Sequence, residues 1–355
     1  MIYEGVAVGN LLKRSDDMRA VEVTKPMELR IIEKDIPKIH SPEEVLVEVK
    51  AVGICGSDMH IYHGTNPLAV YPRVIGHEFV GEIVEKGSKV SNLKVGDRVS
   101  IEPIFYCGQC YACKTGRPNV CAKLEVMGVH RDGGFQEFVV VPEKNAHKFS
   151  EELDWEEAVM IEPFTIAAQS TWRGDVRKDD YVFIMGAGPL GLCVLQYAKY
   201  KGAICIISDL DRDRLDIAEK LDADYILQAD SVDVVEEVMK ITHGMGANVT
   251  LDAVCIPKTF EQAVEVTSPA GRVVVLGFGS EACQIPQLPI TKKELTISGS
   301  RLQTNKFPEV VELLNKKRLN PRILISHSFK IDEVEKAMKL IETQSEKTCK
   351  VVLTF

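Results

Sequence analysis

The sequence predicts an α/β protein in two parts, a β-rich unit joined to a doubly wound parallel sheet of the nucleotide-binding kind. Three observations carry this. Residues 18 to about 150 show short apolar alternations broken by Gly and Pro, as in "EVLVEVKAVGI", "FVGEIVEKG" and "VGDRVSI", the period-two pattern of strands. From Tyr181 onward, strand-like runs alternate with helical ones at the spacing of βαβ units. At 355 residues the chain also exceeds the usual size of one core.

In chain order, the first strand signal opens at Met18 with "MRAVEVTKP", so residues 1–17 read as an extension or an alternative initiation. Lys13 and Arg14 follow the apolar patch of that segment, the reverse of a secretory signal, and a cytoplasmic location is expected. The β rhythm changes after "EEAVMIEPFTIAAQSTW". "YVFIMG", "AICIIS", "YILQ", "NVTLDAV" and "GRVVVLG" then read as parallel strands up to about residue 303, with helical "LGLCVLQYAKYKG" and "DRDRLDIAEKL" between the first three. Two further helical patterns follow, from Phe307 and in "DEVEKAMKLIET". The final "KVVLTF" reads as a strand returning to the first unit.

Composition narrows the function. A hydrophobic share of 45%, a charged share of 27% and a mean hydropathy near zero describe an ordinary globular chain. No uncharged run reaches bilayer-spanning length. A formal charge of -9 without a basic face argues against nucleic acid as a partner. The expected partner is a small polyhydroxy molecule.

"GAGPLG" sits between an apolar run and a helical stretch, which places Gly186, Gly188 and Gly191, with Pro189 and Leu190 between them, in a G-x-G-x-x-G turn. The glycines permit a tight turn, close approach to a pyrophosphate and close helix-on-strand packing. A second strand ends at Asp209, at the distance expected of a ribose-binding carboxylate. Against a 2′-phosphate that carboxylate costs on the order of 4 kcal/mol at an effective dielectric of 20, which favours NAD over NADP. The bland alternative is that Asp209 caps the helix beginning near Asp211. Arg214 is a candidate for the adenine side or a solvated surface residue.

Ten cysteines occur, and four fall within fifteen residues: Cys107, Cys110, Cys113 and Cys121. Four thiolates fill a tetrahedral shell, so this site staples a loop and leaves no vacancy for chemistry. A disulfide pair is the alternative reading. An open site is sought elsewhere. Cys55 in "GICGSDMH", His77 and Glu78 in "GHE", and Glu162 in "IEPF" together supply a thiolate, an imidazole and carboxylates, a set able to hold catalytic zinc with a free position. The remaining single cysteines, Cys193, Cys205 and Cys255 among them, read as core residues.

These motifs, in this order, resemble the zinc-dependent medium-chain dehydrogenases over the chain from about Met18 to its end. Glu162 stands where alcohol dehydrogenases place a cysteine ligand, which is similar to the sorbitol dehydrogenase branch. "YPRVIGHEFVGE", "GVHRDGG", "MIEPFTIAA" and "GSRLQTNKFP" resemble the starvation-sensing enzymes and the L-gulonate and L-galactonate 5-dehydrogenases. The resemblance implies a GroES-like catalytic domain over 1–162 and 304–355, a Rossmann NAD domain over 163–303, two zinc ions per subunit, and a homodimer or homotetramer. It implies that Cys55 and His77 hold the catalytic zinc, with Glu78 and Glu162 sharing the remaining coordination. Asp58 would orient His77, and Ser57 and His60 match the proton-relay positions. For a sugar-acid carboxylate the candidates are His130, Arg131 and Arg301, the last being equally a contact to NAD. A neutral polyol or threonine-like substrate is the runner-up. A non-catalytic NAD-binding redox sensor is the reading from another class, and a pure sensor has no use for a catalytic vacancy.

Overall fold

A computed structural model describes residues 17–355. The extension expected over 1–17 lies outside these residues, except for Asp17, which begins the first strand, Asp17–Lys25. The remaining strands of the first unit form mainly around the long strand β1 (Glu44–Ile54), where Val45, Val47, Val49 and Val52 supply the β-branched side chains that suit a packed pleated surface. β1 pairs antiparallel with β2 (Glu78–Lys86) and with Phe138–Pro142.

The second unit is a six-stranded parallel sheet. Its strands are β3 (Tyr181–Met185), β4 (Ile204–Asp209), β5 (Tyr225–Gln228), β6 (Ala247–Asp252), β7 (Thr267–Val275) and β8 (Thr296–Gly299), in the order β5-β4-β3-β6-β7-β8. That is the 3-2-1-4-5-6 order of a dinucleotide fold. Its central strands β3, β4 and β6 are buried on both faces, whereas the edge strands β5 and β8 are largely open. Val182, Ile184, Cys205 and Ile207 face one core cluster, while Phe183, Met185 and Ile206 face the other.

The chain then returns. β9 (Lys350–Thr354) pairs antiparallel with β1, Val351 opposite Ile54 and Val352 opposite Gly53. Ala51 and Val80 of the first unit and Val352 of the returning strand share a core cluster with Val182 and Ile184. The two units are therefore joined by one apolar seam, and polar groups beside it are shielded from water.

Three features of the fold were not read from the sequence. The stretch around "IEPF" is helical, α2 (Ile161–Arg173), following a short helix at Trp155–Val159, and the short helix α1 (Gly56–Tyr62) interrupts the β-rich unit. A strand at Ile325–Lys330 pairs with β9. Its half-buried alternation, "ISHSFK", is too polar to stand out.

Candidate active site

Three strand ends converge on one pocket. Gly53 of β1 lies opposite Glu78, the first residue of β2. Cys55 follows β1 directly, His77 precedes β2 directly, and Lys350 opens β9 beside them. A Cβ at Gly53 would stand 2.3 Å from Glu78 Oε2 and 2.9 Å from Val159, so only glycine leaves the carboxylate its place.

One donor atom each from Cys55, His77 and Glu78 lie within 4.8 Å of one another. His77 is 8% exposed and Glu78 and Glu162 are each 3% exposed. Burial pushes His77 down, but the neighbouring Asp58 carboxylate and Cys55 sulfur outweigh it, and its pKa stands well above the ordinary value. Asp58 is fully buried. It accepts from the backbone N–H of Cys55 at 2.9 Å and of Gly76 at 3.1 Å, and its Oδ1 lies 3.6 Å from His77 Nδ1. That nitrogen has no hydrogen-bond partner, so Asp58 orients the ring as a nearby charge. A soft thiolate, an imidazole and a carboxylate in a dry pocket fit zinc.

Glu162 stands in the first turn of α2, outside that close trio but inside its field. Burial pushes its carboxyl up to about 7, the His77 imidazole opposes this and Glu78 adds to it. Ser57 Oγ lies 3.5 Å from His77 Nε2, at the edge of the pocket. His60 is exposed further along α1, its Nδ1 2.9 Å from Thr65 Oγ1.

The four-cysteine loop forms a separate cluster. Sulfur to sulfur distances are 3.4 Å for Cys107–Cys121, 3.5 Å for Cys110–Cys113 and 3.8 Å for Cys110–Cys121. All ten cysteines are free thiols. The backbone N–H groups of Gln109 and Cys110 donate to the Cys107 sulfur, and those of Cys107 and Lys123 to the Cys121 sulfur. Donors aimed at sulfur stabilise thiolates; N–H groups of Ala122 and Cys113 bring Cys110 down to about 6. The cluster suits a closed zinc site.

At the nucleotide end each glycine has a distinct steric role. Gly186 takes φ +95°, Gly188 has open space where its Cβ would stand, and a Cβ at Gly191 would come 1.9 Å from the Gly186 carbonyl. Pro189 and Leu190 begin helix α3 (Pro189–Tyr200). Asp209 Oδ2 accepts from Ala187 N–H at 2.6 Å and Oδ1 from Asp211 N–H at 2.9 Å. The cap of helix α4 (Arg212–Lys220) is Asp211, so capping does not explain Asp209. Arg214 donates to the Ser345 carbonyl at 3.0 Å, reaching the returning segment of the chain.

A cleft of about 270 Å³ lies between the cysteine loop, the end of α2 and the ends of β7 and β8. Arg117, Arg173, Ser300 and Arg301 line it. Among the described residues none of these three guanidinium groups is paired with a carboxylate; Arg173 donates to the Gly299 carbonyl and Arg301 lies 5.5 Å over the Phe278 ring. Ser300 Oγ is buried without a partner. Of the residues expected to meet a substrate carboxylate, only Arg301 is in this cleft. Arg131 is held by Glu125 at 2.5 Å and stacks on Phe105, and His130 Nδ1 accepts from Val126 N–H. Burial and nearby Arg301 lower the His130 pKa. Arg117, Arg173 and Ser300 were missed, as was Lys350, because no local motif marks them.

Two family models match the chain, the alcohol dehydrogenase GroES-like domain over residues 41–151 and the zinc-binding dehydrogenase domain over 189–316. Starvation-sensing protein RspB of Escherichia coli K12 is 45% identical over 95% of this chain and 99% of its own length. A crystal structure of rspB from E. coli CFT073, complexed with NADH, superposes with a TM-score of 0.91 over 96% of this chain and 100% of that one. L-threonine 3-dehydrogenase of Pyrococcus furiosus is 38% identical, and L-galactonate-5-dehydrogenase of E. coli K12 33% identical, each over 95% of this chain and 99% of its own length.

Proposed function

The chain belongs to the zinc-binding alcohol dehydrogenases with a GroES-like domain, and from that premise we propose that it oxidises a secondary hydroxyl of a sugar acid, such as L-gulonate or L-galactonate at C5, using NAD. The broader activity, NAD-dependent alcohol or polyol dehydrogenation, follows from the family. The acid rests on one observation, the three guanidinium groups that have no carboxylate partner among the described residues, around the cleft beside the sheet's carboxyl ends. Ligands of open α/β sheets bind at those ends. A neutral polyol would leave that positive charge uncompensated, whereas a carboxylate takes a two-pronged grip from an arginine. The relatedness to L-galactonate-5-dehydrogenase supports the same reading.

Cys55 and His77 hold the metal in this reading, with Glu78 and Glu162 as the carboxylates of the site. When bound, zinc supplies the polarisation that acidifies a substrate hydroxyl, and NAD supplies the hydride acceptor. Ser57, at the pocket edge, takes the hydroxyl proton, and exposed His60 hands it to water. Gly186, Gly188 and Gly191 let the backbone approach the pyrophosphate, with the α3 N-terminus facing it. Asp209 accepts the adenosine ribose hydroxyls, and Arg214 flanks that end. Catalytic residues 1–162 and 304–355 and cofactor residues 163–303 make the two domains, in a cytoplasmic homo-oligomer.

Relatedness to L-threonine 3-dehydrogenase favours a second reading, since threonine also carries a carboxylate. A panel of hexonates, polyols and L-threonine with NAD, followed by NADH absorbance, separates them. Turnover of hexonates above all others is expected; preference for polyols or threonine overturns the acid.

A further inference from the structure

Among the described residues one lysine or arginine is buried, Lys350, with 3% of its side chain exposed. Its ammonium meets Glu78 Oε2 at 2.5 Å and lies 3.5 Å from the Ile54 carbonyl. Glu78 is at once a member of the Cys55–His77 donor group. The same pocket holds Asp58 and Glu162, so among the described residues Lys350 is the one lysine or arginine fixed, beside His77, among four acidic groups, Cys55 included.

A carboxylate oxygen that accepts an ammonium proton is a weaker metal donor, because the same electron density serves two cations. A buried lysine with no water to turn to keeps that grip. We infer that Lys350 is a positioning residue: it restrains Glu78 from closing fully on the metal, and so keeps the coordination place beside Cys55 and His77 available to substrate. The inference rests on the zinc reading of that group. It explains why a pocket with more acidic groups than zinc needs can still be open.

The test uses the cobalt-substituted holoenzyme, whose visible absorption weakens as coordination number rises, alongside release of the metal to a chelator. Metal content of the wild type comes first. Fewer than two metal ions per chain there overturns the zinc reading itself, and this inference with it. With two present, Lys350→Met should weaken the cobalt bands and slow release from the Cys55 site about tenfold, while Lys350→Arg stays like wild type. The E78Q/K350M pair should not slow release, because the carboxylate that closes is gone. If Lys350→Met does not fold, Lys350→Gln, which keeps a donor but no charge, carries the same comparison. Bands and release unchanged in the folded neutral variant, or slowed equally in the pair, overturn the role of Lys350 while leaving the zinc site standing.

Discussion

Asp209 and Ala187 are joined by a 2.6 Å hydrogen bond from the Ala187 backbone N–H to Oδ2, which ties the end of β4 to the glycine turn after β3. One side chain thus braces the turn, and in the proposed reading it also meets the ribose. Asp209→Ala should raise KM for NAD by about 10- to 100-fold, the scale of losing hydrogen bonds to a charged acceptor. KM for NADP should fall relative to it, because the like charge facing a 2′-phosphate is gone. Steady-state kinetics with both cofactors checks this.

Gly191 offers a test that leaves every polar contact in place. Its Cβ would meet the Gly186 carbonyl, a backbone atom that cannot swing aside. Gly191→Ala should cost about 1–3 kcal/mol of stability and weaken NAD binding. Thermal melts with and without NAD read both. Gly188→Ala meets no protein atom within 4 Å and should keep the wild-type Tm while losing NAD affinity.

The two cysteine sites should separate by phenotype. Cys55→Ser should lower kcat by more than about 10³, the scale of metal activation of a hydroxyl, with NAD affinity unchanged. Cys110→Ser removes one ligand of the closed cluster, so the zinc content should fall to one ion per chain and Tm by several degrees, with residual activity in whatever stays folded. Metal analysis paired with calorimetry decides between them.

Much of this was legible in the sequence for physical reasons that act locally. Strands such as "YVFIMG" and turns such as "GAGPLG" declare themselves through periodicity and sterics within a few residues. The four-cysteine loop does so through ligand spacing. Lys350 is 272 residues from Glu78, and only the pairing of β9 with β1 brings them together. Arg131 shows the converse: it sits in a suggestive loop, and only the fold shows that its neighbour in space is Glu125 and that it does not line the cleft. The cleft arginines come from three separate segments, so that none of them is paired with a carboxylate among the described residues is visible only in three dimensions.

Asp132, one residue on from Arg131, yields a pH prediction that involves no residue of either metal group. It accepts from Lys34 Nζ at 2.5 Å, Arg73 Nη1 at 2.9 Å and Val74 N–H at 3.3 Å, joining three segments of the first unit. Burial pushes its carboxyl up, but the Lys34 and Arg73 charges and the Val74 N–H outweigh it, and its pKa is lowered in the fold. A carboxylate with a depressed folded pKa stabilises above its unfolded value, near 4, and loses that contribution as pH falls through the lower folded one. Asp132→Asn should therefore lower Tm by a few degrees at pH 7, and the gap to wild type should narrow progressively below about pH 4. The side chain is 35% exposed, so salt screens part of the effect, and the gap at pH 7 should also shrink in high salt. A gap constant across pH would assign the loss to packing in place of charge.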